Sequence, residues 1–159
     1  VIMNFIHTPL EGCFLIEPKI INDERGYFME SFNQKTFQNG IGEAINFIQD
    51  NQSFSVKGTL RGLHYQVGDH SQAKLVRVLS GEVLDVAVDI RPESKTFGQH
   101  VSVLLSGENQ NQFFVPSELA RSLDYSPSTK KLWHQHLLLI ALFAQPFAHK
   151  VDIRLQKTF

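Results

Sequence analysis

Residues 60–66 read LRGLHYQ, and residues 72–91 read QAKLVRVLSGEVLDVAVDIR. The run KLVRVL over 74–79 is mostly apolar and rich in valine and leucine, and Ser80-Gly81 behind it is a turn signal. Beyond the turn, Leu84, Val86, Val88 and Ile90 alternate with Asp85, Ala87, Asp89 and Arg91. Such alternation predicts a half-buried strand, and the glycine break predicts a hairpin. The stretch also carries a histidine, arginines and a lysine within β-type sequence. These groups are costly in a core unless they meet a ligand or one another, so the search for function begins here.

Working outward, Val56-Lys57-Gly58 turns the chain into LRGLHYQ. Arg61 and His64 have opposite parity, so a regular strand would place them on opposite faces. Glycine inside a strand often marks a bulge, and a bulge at Gly62 would bring both side chains into one cavity. Upstream, residues 45–53 (INFIQDNQS) have strand character, with Phe47, Gln49 and Asn51 on one face. Residues 33–42 form a loop or short helix. Residues 12–21 give one or two strands interrupted at Pro18, and 22–26 (NDERG) form a turn. Tyr27 to Phe32 alternates, with Phe28, Glu30 and Phe32 on one face. Downstream, residues 95–100 turn, 101–105 form another strand, and 112–115 lead to Pro116. Short strands with turns between them predict an all-β sandwich or barrel, whose mouth is a usual place for a small-molecule site.

Composition narrows the class. A chain of 159 residues fits one domain with a sizeable core. Its formal charge of −1 gives no electrostatic case for nucleic-acid or anionic-membrane binding. The single cysteine, Cys13, excludes an intramolecular disulfide and a multi-cysteine zinc site. Its apolar surroundings predict a packed, inert thiol. No signal-peptide pattern opens the chain, and a reducing cytoplasm is the expected compartment. The apolar run over 137–144 (LLLIALFA) is too short to span a bilayer and reads as a buried element.

LRGLHYQ, QAKLVRVLSGEVLDVAVDIR, TFGQ and DERGYFMESF together resemble the dTDP-4-dehydrorhamnose 3,5-epimerase family, over about residues 3–121. The resemblance implies a cupin-like β-barrel (a jelly-roll) that epimerises a dTDP-linked 4-keto-6-deoxy sugar, as in dTDP-L-rhamnose and cell-surface polysaccharide synthesis. It also implies a homodimer paired through N-terminal strands, with neither a membrane nor a nucleic-acid partner. The D-x-R-G-x-F-x-E element assigns Arg25 to the nucleotide diphosphate, with Glu30 as the nearby acid. QDN assigns Gln49 and Asn51 to the ligand, and LRGLHYQ makes His64 the base. Arg61 and Lys74 fall in the substrate pocket.

The chemistry fits these residue types. Epimerisation beside a ketone needs a base, a donor or cation at the enolate oxygen, and an acid on the opposite face. Imidazole suits the first task and the compact Lys74 cation the second. The Arg61 fork suits phosphate or the keto region. Asp85 and Asp89 are read either as partners of His64, Lys74 or Arg77, or as carboxylates facing solvent. No cofactor is expected, and no metal: metal-binding cupins use an H-x-H pair and a carboxylate, whereas this chain has His64-Tyr65-Gln66, and His134-Gln135-His136 has no nearby acid.

After VPSELA the chain departs from the family, making 122–159 atypical. Arg121-Ser122 replace the family's histidine-glycine pair. Its tyrosine acid has no clear counterpart, since Tyr125 comes too early and Trp133 or His134 holds its approximate place. Lys150 and Asp152 are poor substitutes for the tail residues that support the base. The change is abrupt, and the expected cause is a shifted reading frame or a rearranged end. Two functional classes follow: an epimerase whose acid lies elsewhere or is lost, and a catalytically impaired nucleotide-sugar-binding cupin. A metal-dependent cupin is a distant third.

Overall fold

A computed structural model of the protein describes residues 3–66, 68, 71–117, 119–124 and 148–156. Among the described residues, twelve strands and one helix follow one another: β1 (Asn4–His7), β2 (Phe14–Glu17), β3 (Ile20–Asp23), β4 (Gly26–Met29), α1 (Gln34–Ile41), β5 (Phe47–Val56), β6 (Leu60–His64), β7 (Lys74–Ser80), β8 (Glu82–Asp89), β9 (His100–Ser106), β10 (Gln112–Val115), β11 (Leu119–Asp124) and β12 (Ala148–Gln156). The pairings are antiparallel. One sheet runs β1-β2-β10-β7-β12-β5, a second runs β6-β11-β8-β9, and β3–β4 form a separate hairpin.

The two larger sheets pack face to face, which is the all-β sandwich the alternation called for. Their shared core joins Val76, Val78, Phe113 and Val115 of the first sheet to Val83, Ala87, Val103, Leu105 and Leu119 of the second. Leu10 and Cys13 pack into the same core. Burial pushes the Cys13 thiol up to about 12, as befits an inert packed sulfur. The outer face of the first sheet is covered by α1, through Phe37 and Ile41 against Phe14, Ile16, Leu75 and Phe114. The segment expected as loop or helix is thus a helix, capped at both ends. Asn33 accepts a bond from the Thr36 amide, and Gly42 takes the left-handed conformation at φ 77°.

β12 enters the first sheet between β7 and β5. The sequence reading did not foresee a strand there. The apolar run over 137–144 lies outside the described residues. No helix among the described residues is long and apolar enough to cross a membrane.

Candidate active site

The position of each candidate follows from strand register, because residues paired across a ladder share a face. Lys74 pairs with Leu155, and Leu155 pairs with Gln49. Val76, Ile153 and Asn51 form the next row, and Val78, Val151 and Ser53 the one after. Val76 and Val78 belong to the shared core, so Lys74, Gln49 and Asn51 all lie on the inner face of the first sheet. Lys74 is half-buried while Gln49 and Asn51 are exposed, which sets them at an open part of that face. The Gln49 amide donates to the Asn51 side chain at 3.1 Å.

The second sheet supplies the opposing wall. In β11, Arg121 pairs with His64 of β6, but Leu123 pairs with Arg61. Two residues of β11 therefore match three of β6, and the extra residue is a bulge at Gly62-Leu63. Gly62 has φ 110°, which a side chain would oppose. Because of the bulge, Arg61 and His64 face the same way despite their opposite parity. That way is inward: Arg121, in the same row as His64, is buried and forks onto Asp85. Arg61 reaches across to β5, its Nε donating to the Ser55 hydroxyl at 2.9 Å.

The electrostatics follow from these neighbours. The Lys74 ammonium donates to the Gln72 carbonyl at 3.0 Å. Burial, and secondarily the Arg121 charge, holds its pKa below the usual lysine range. Burial raises the Asp85 carboxyl, with the Arg121 guanidinium pulling the other way. Asp85 offsets the charge of Arg121, leaving Lys74 and Arg61 as the inward cations whose charge no described carboxylate is shown to offset. Two cations and an imidazole between facing sheets can bind an anion and move a proton beside it.

The structure thus places Gln49, Asn51 and Lys74 on the inner face of one sheet, and Arg61 and His64 on the inner face of the other. Arg25 and Glu30 stand apart from them. Arg25 lies at the tip of the β3–β4 hairpin with its side chain 90 % exposed, bonded to Asp23. Glu30 is half-buried just past β4 and accepts from Asn33 at 3.3 Å.

The reading of Asp85 and Asp89 needs correction. Neither faces solvent, since both are 0 % exposed, and each is paired with an arginine other than the His64, Lys74 or Arg77 that the sequence reading named. Asp85 is held by Arg121. Asp89 accepts from Arg91, Ser94 and Thr96, and the Arg91 bonds hold its carboxyl well below the usual range. β8 lies between β11 and β9. Its charged face turns into the core because each carboxylate there meets a guanidinium fork.

Arg121, Ser53 and Ser55 were missed as inward-facing groups. The serines continue the period-2 series of Gln49 and Asn51, and that was the available signal. Arg121 was noted only as a departure from the family pattern. Tyr125, Trp133, His134 and His136 lie outside the described residues, as do the side chains of Lys150 and Asp152. Among the described residues, no group of three or more His, Cys, Asp or Glu side chains could hold a metal.

A family model described as dTDP-4-dehydrorhamnose 3,5-epimerase matches residues 7–134. The dTDP-4-dehydrorhamnose 3,5-epimerase of Shigella flexneri is 54 % identical over 118 residues, which is 74 % of this chain and 65 % of that protein. The Methanothermobacter thermautotrophicus enzyme of the same name is 53 % identical over 116 residues, 73 % of this chain and 62 % of its own length. This chain therefore spans just under two thirds of the length of the curated relatives it matches. The crystal structure of a Legionella pneumophila dTDP-6-deoxy-D-glucose-3,5-epimerase, in complex with dTDP-4-keto-L-rhamnose, superposes with a TM-score of 0.81 at 42 % identity. It covers 99 % of this chain and 73 % of that one. The facing sheets are a cupin-like jelly-roll. With its bulged LRGLHYQ strand set opposite Lys74, and with this match over most of its length, the chain belongs to the dTDP-4-dehydrorhamnose 3,5-epimerase family.

Proposed function

We propose that the protein epimerises a dTDP-linked 4-keto-6-deoxy sugar, an isomerase step in dTDP-L-rhamnose and polysaccharide-precursor synthesis. His64 removes the hydrogen from a carbon beside the ketone. The electron pair moves onto the ketone oxygen, and the Lys74 ammonium stabilises the resulting enolate. A proton returned from the opposite face inverts the carbon. Arg61, Gln49 and Asn51 bind the substrate between the sheets, and Arg25 and Glu30 complete the site at the nucleotide diphosphate. No cofactor takes part, since both the acidity of the carbon and the electron sink come from the ketone.

The observation that carries this reading is the bulge at Gly62. It turns Arg61 and His64 to one inner face, opposite the sheet that bears Lys74. A substrate held between the sheets would have an imidazole on one side and an ammonium on the other.

The active form is proposed to be a cytoplasmic homodimer. β5 is an edge strand, and its outer side exposes Ile48, Phe54 and Val56. The β3–β4 hairpin exposes Ile21, Tyr27 and Phe28, and pairs with no other strand among the described residues. A second copy laying its hairpin along this edge would cover both sets of side chains. It would also carry its Arg25 toward Gln49 and Asn51.

Deuterium exchange tests the chemistry. In heavy water, the native chain should incorporate deuterium at a carbon beside the ketone of the dTDP-sugar, and His64→Asn should not. His64→Asn should still bind dTDP, because Asn leaves the diphosphate contacts in place. Equal uptake by both proteins would remove His64 as the base. No uptake by either would favour the catalytically impaired binding protein.

A further inference from the structure

The β3–β4 hairpin pairs with no strand of either sheet among the described residues, so no ladder fixes its direction. Two glutamines at the entry to β10 reach it instead. The Gln110 side-chain amide donates to the Tyr27 hydroxyl at 3.1 Å, and that of Gln112 donates to the Ser31 carbonyl at 2.7 Å. Both glutamines are buried, at 5 % and 2 % exposure. The Gln110 amide also donates to the Gly107 carbonyl, which spends one of its two hydrogens and turns the other toward the hairpin. Gln110 takes a left-handed backbone at φ 54°, a conformation that a residue with a side chain keeps only where its surroundings impose it.

The hairpin tip is firm in itself. β3 and β4 pair from Ile20↔Met29 to Asp23↔Gly26. Asp23 accepts from the Arg25 backbone amide at 2.9 Å and from its Nε at 3.1 Å, so the guanidinium follows the hairpin. What remains to be set is the angle between the hairpin and the sheets. Ser31 lies at the root of the hairpin and Tyr27 lies two residues from Arg25. Two anchors fix a direction, where one would leave a pivot. We infer that Gln110 and Gln112 are positioning residues, which set the angle of the β3–β4 hairpin and so carry Arg25 to the diphosphate. This rests on the role given to Arg25 above and adds to it the side chains that aim it.

Tyr27→Phe tests the inference, because it removes the hydroxyl and keeps the exposed ring. Calorimetry with dTDP is the readout, in the native and the Arg25→Ala backgrounds. In the native background, affinity should fall about three- to tenfold, the size of one hydrogen bond. In the Arg25→Ala background, Tyr27→Phe should change affinity by less than about twofold, since there is no longer a guanidinium to misplace. Gln110→Asn should reproduce the loss. Asparagine tolerates the left-handed backbone but is one methylene too short to reach Tyr27. Native affinity in either single variant would overturn the inference. Equal losses from Tyr27→Phe in both backgrounds would also overturn it, since the hydroxyl would then act without Arg25. Dissociation of the Tyr27→Phe dimer in sedimentation would overturn it too, because the hydroxyl would then serve the interface. Native affinity in Arg25→Ala alone would instead overturn the diphosphate role of Arg25, and the inference with it.

Discussion

Lys74 begins β7 half-buried, with its ammonium on a single carbonyl and Arg121 as a like-charged neighbour. A charge in that setting works against the fold and in favour of an anionic ligand. Its folded pKa is lowered, first by burial and then by Arg121. At neutral pH the unfolded chain therefore holds that proton more comfortably than the native state does. The opposition is fully present below the folded value and fades as pH rises through it toward the unfolded value. Lys74→Met should raise Tm at neutral pH, with the advantage shrinking in alkali, while substrate deuterium exchange falls about a hundredfold or more. A Tm that drops would mean that the Gln72 contact outweighs the desolvation of the charge. The half-buried place of Lys74 was legible because cationic residues stand out in an apolar run. The neutralisation of Asp85 was not, because its partner Arg121 lies 36 positions away and joins it only across the β8–β11 pairing.

Elements show where local sequence is enough and where it fails. The helix α1 was only half legible: its polar, glycine-ended segment was read as loop or short helix, and the capping roles of Asn33 and Gly42 decide for the helix. The bulge in β6 was legible from residue type too: a glycine sits where parity would have separated Arg61 from His64. The alternation in β8 was read correctly as a strand, but its charged face was not recognised as the inner one. Period alone cannot say which face is covered when a strand lies in mid-sheet. β12 escaped notice because its pairing partners are β5 and β7, far back in the chain. Packing of α1 gives a prediction of its own. A Cβ on Gly40 would run into the Phe5 ring, and that ring also stacks edge-on against Phe37 at 6.3 Å. Alanine would gain about 1 kcal/mol of helix propensity, yet overpacking typically costs about 1–3 kcal/mol. Gly40→Ala should therefore lower Tm by a few degrees in thermal denaturation. A rise would show that Phe5 swings aside freely.

At the scale of the whole molecule, the chain has a core divided between two sheets and a hairpin that shares neither. Phe28 is 64 % exposed and Tyr27 56 % exposed on that hairpin. β5, at the edge of the first sheet, runs for ten residues with Phe54 54 % exposed. A long edge strand bordered by apolar side chains invites another chain to pair with it, and natural proteins cover such edges. In the proposed homodimer, hairpin and edge cover each other, and Arg25 serves the site of the partner rather than its own. Two substitutions separate the roles of hairpin and arginine. Phe28→Asp should shift sedimentation from dimer to monomer and weaken dTDP binding together. Arg25→Ala should leave the dimer intact and weaken dTDP binding alone, with native binding falling as salt rises because the contact is ionic. A Phe28→Asp monomer that binds dTDP as tightly as the native protein would mean that each chain completes its own site. An Arg25→Ala dimer of native affinity would remove Arg25 from the diphosphate contacts altogether.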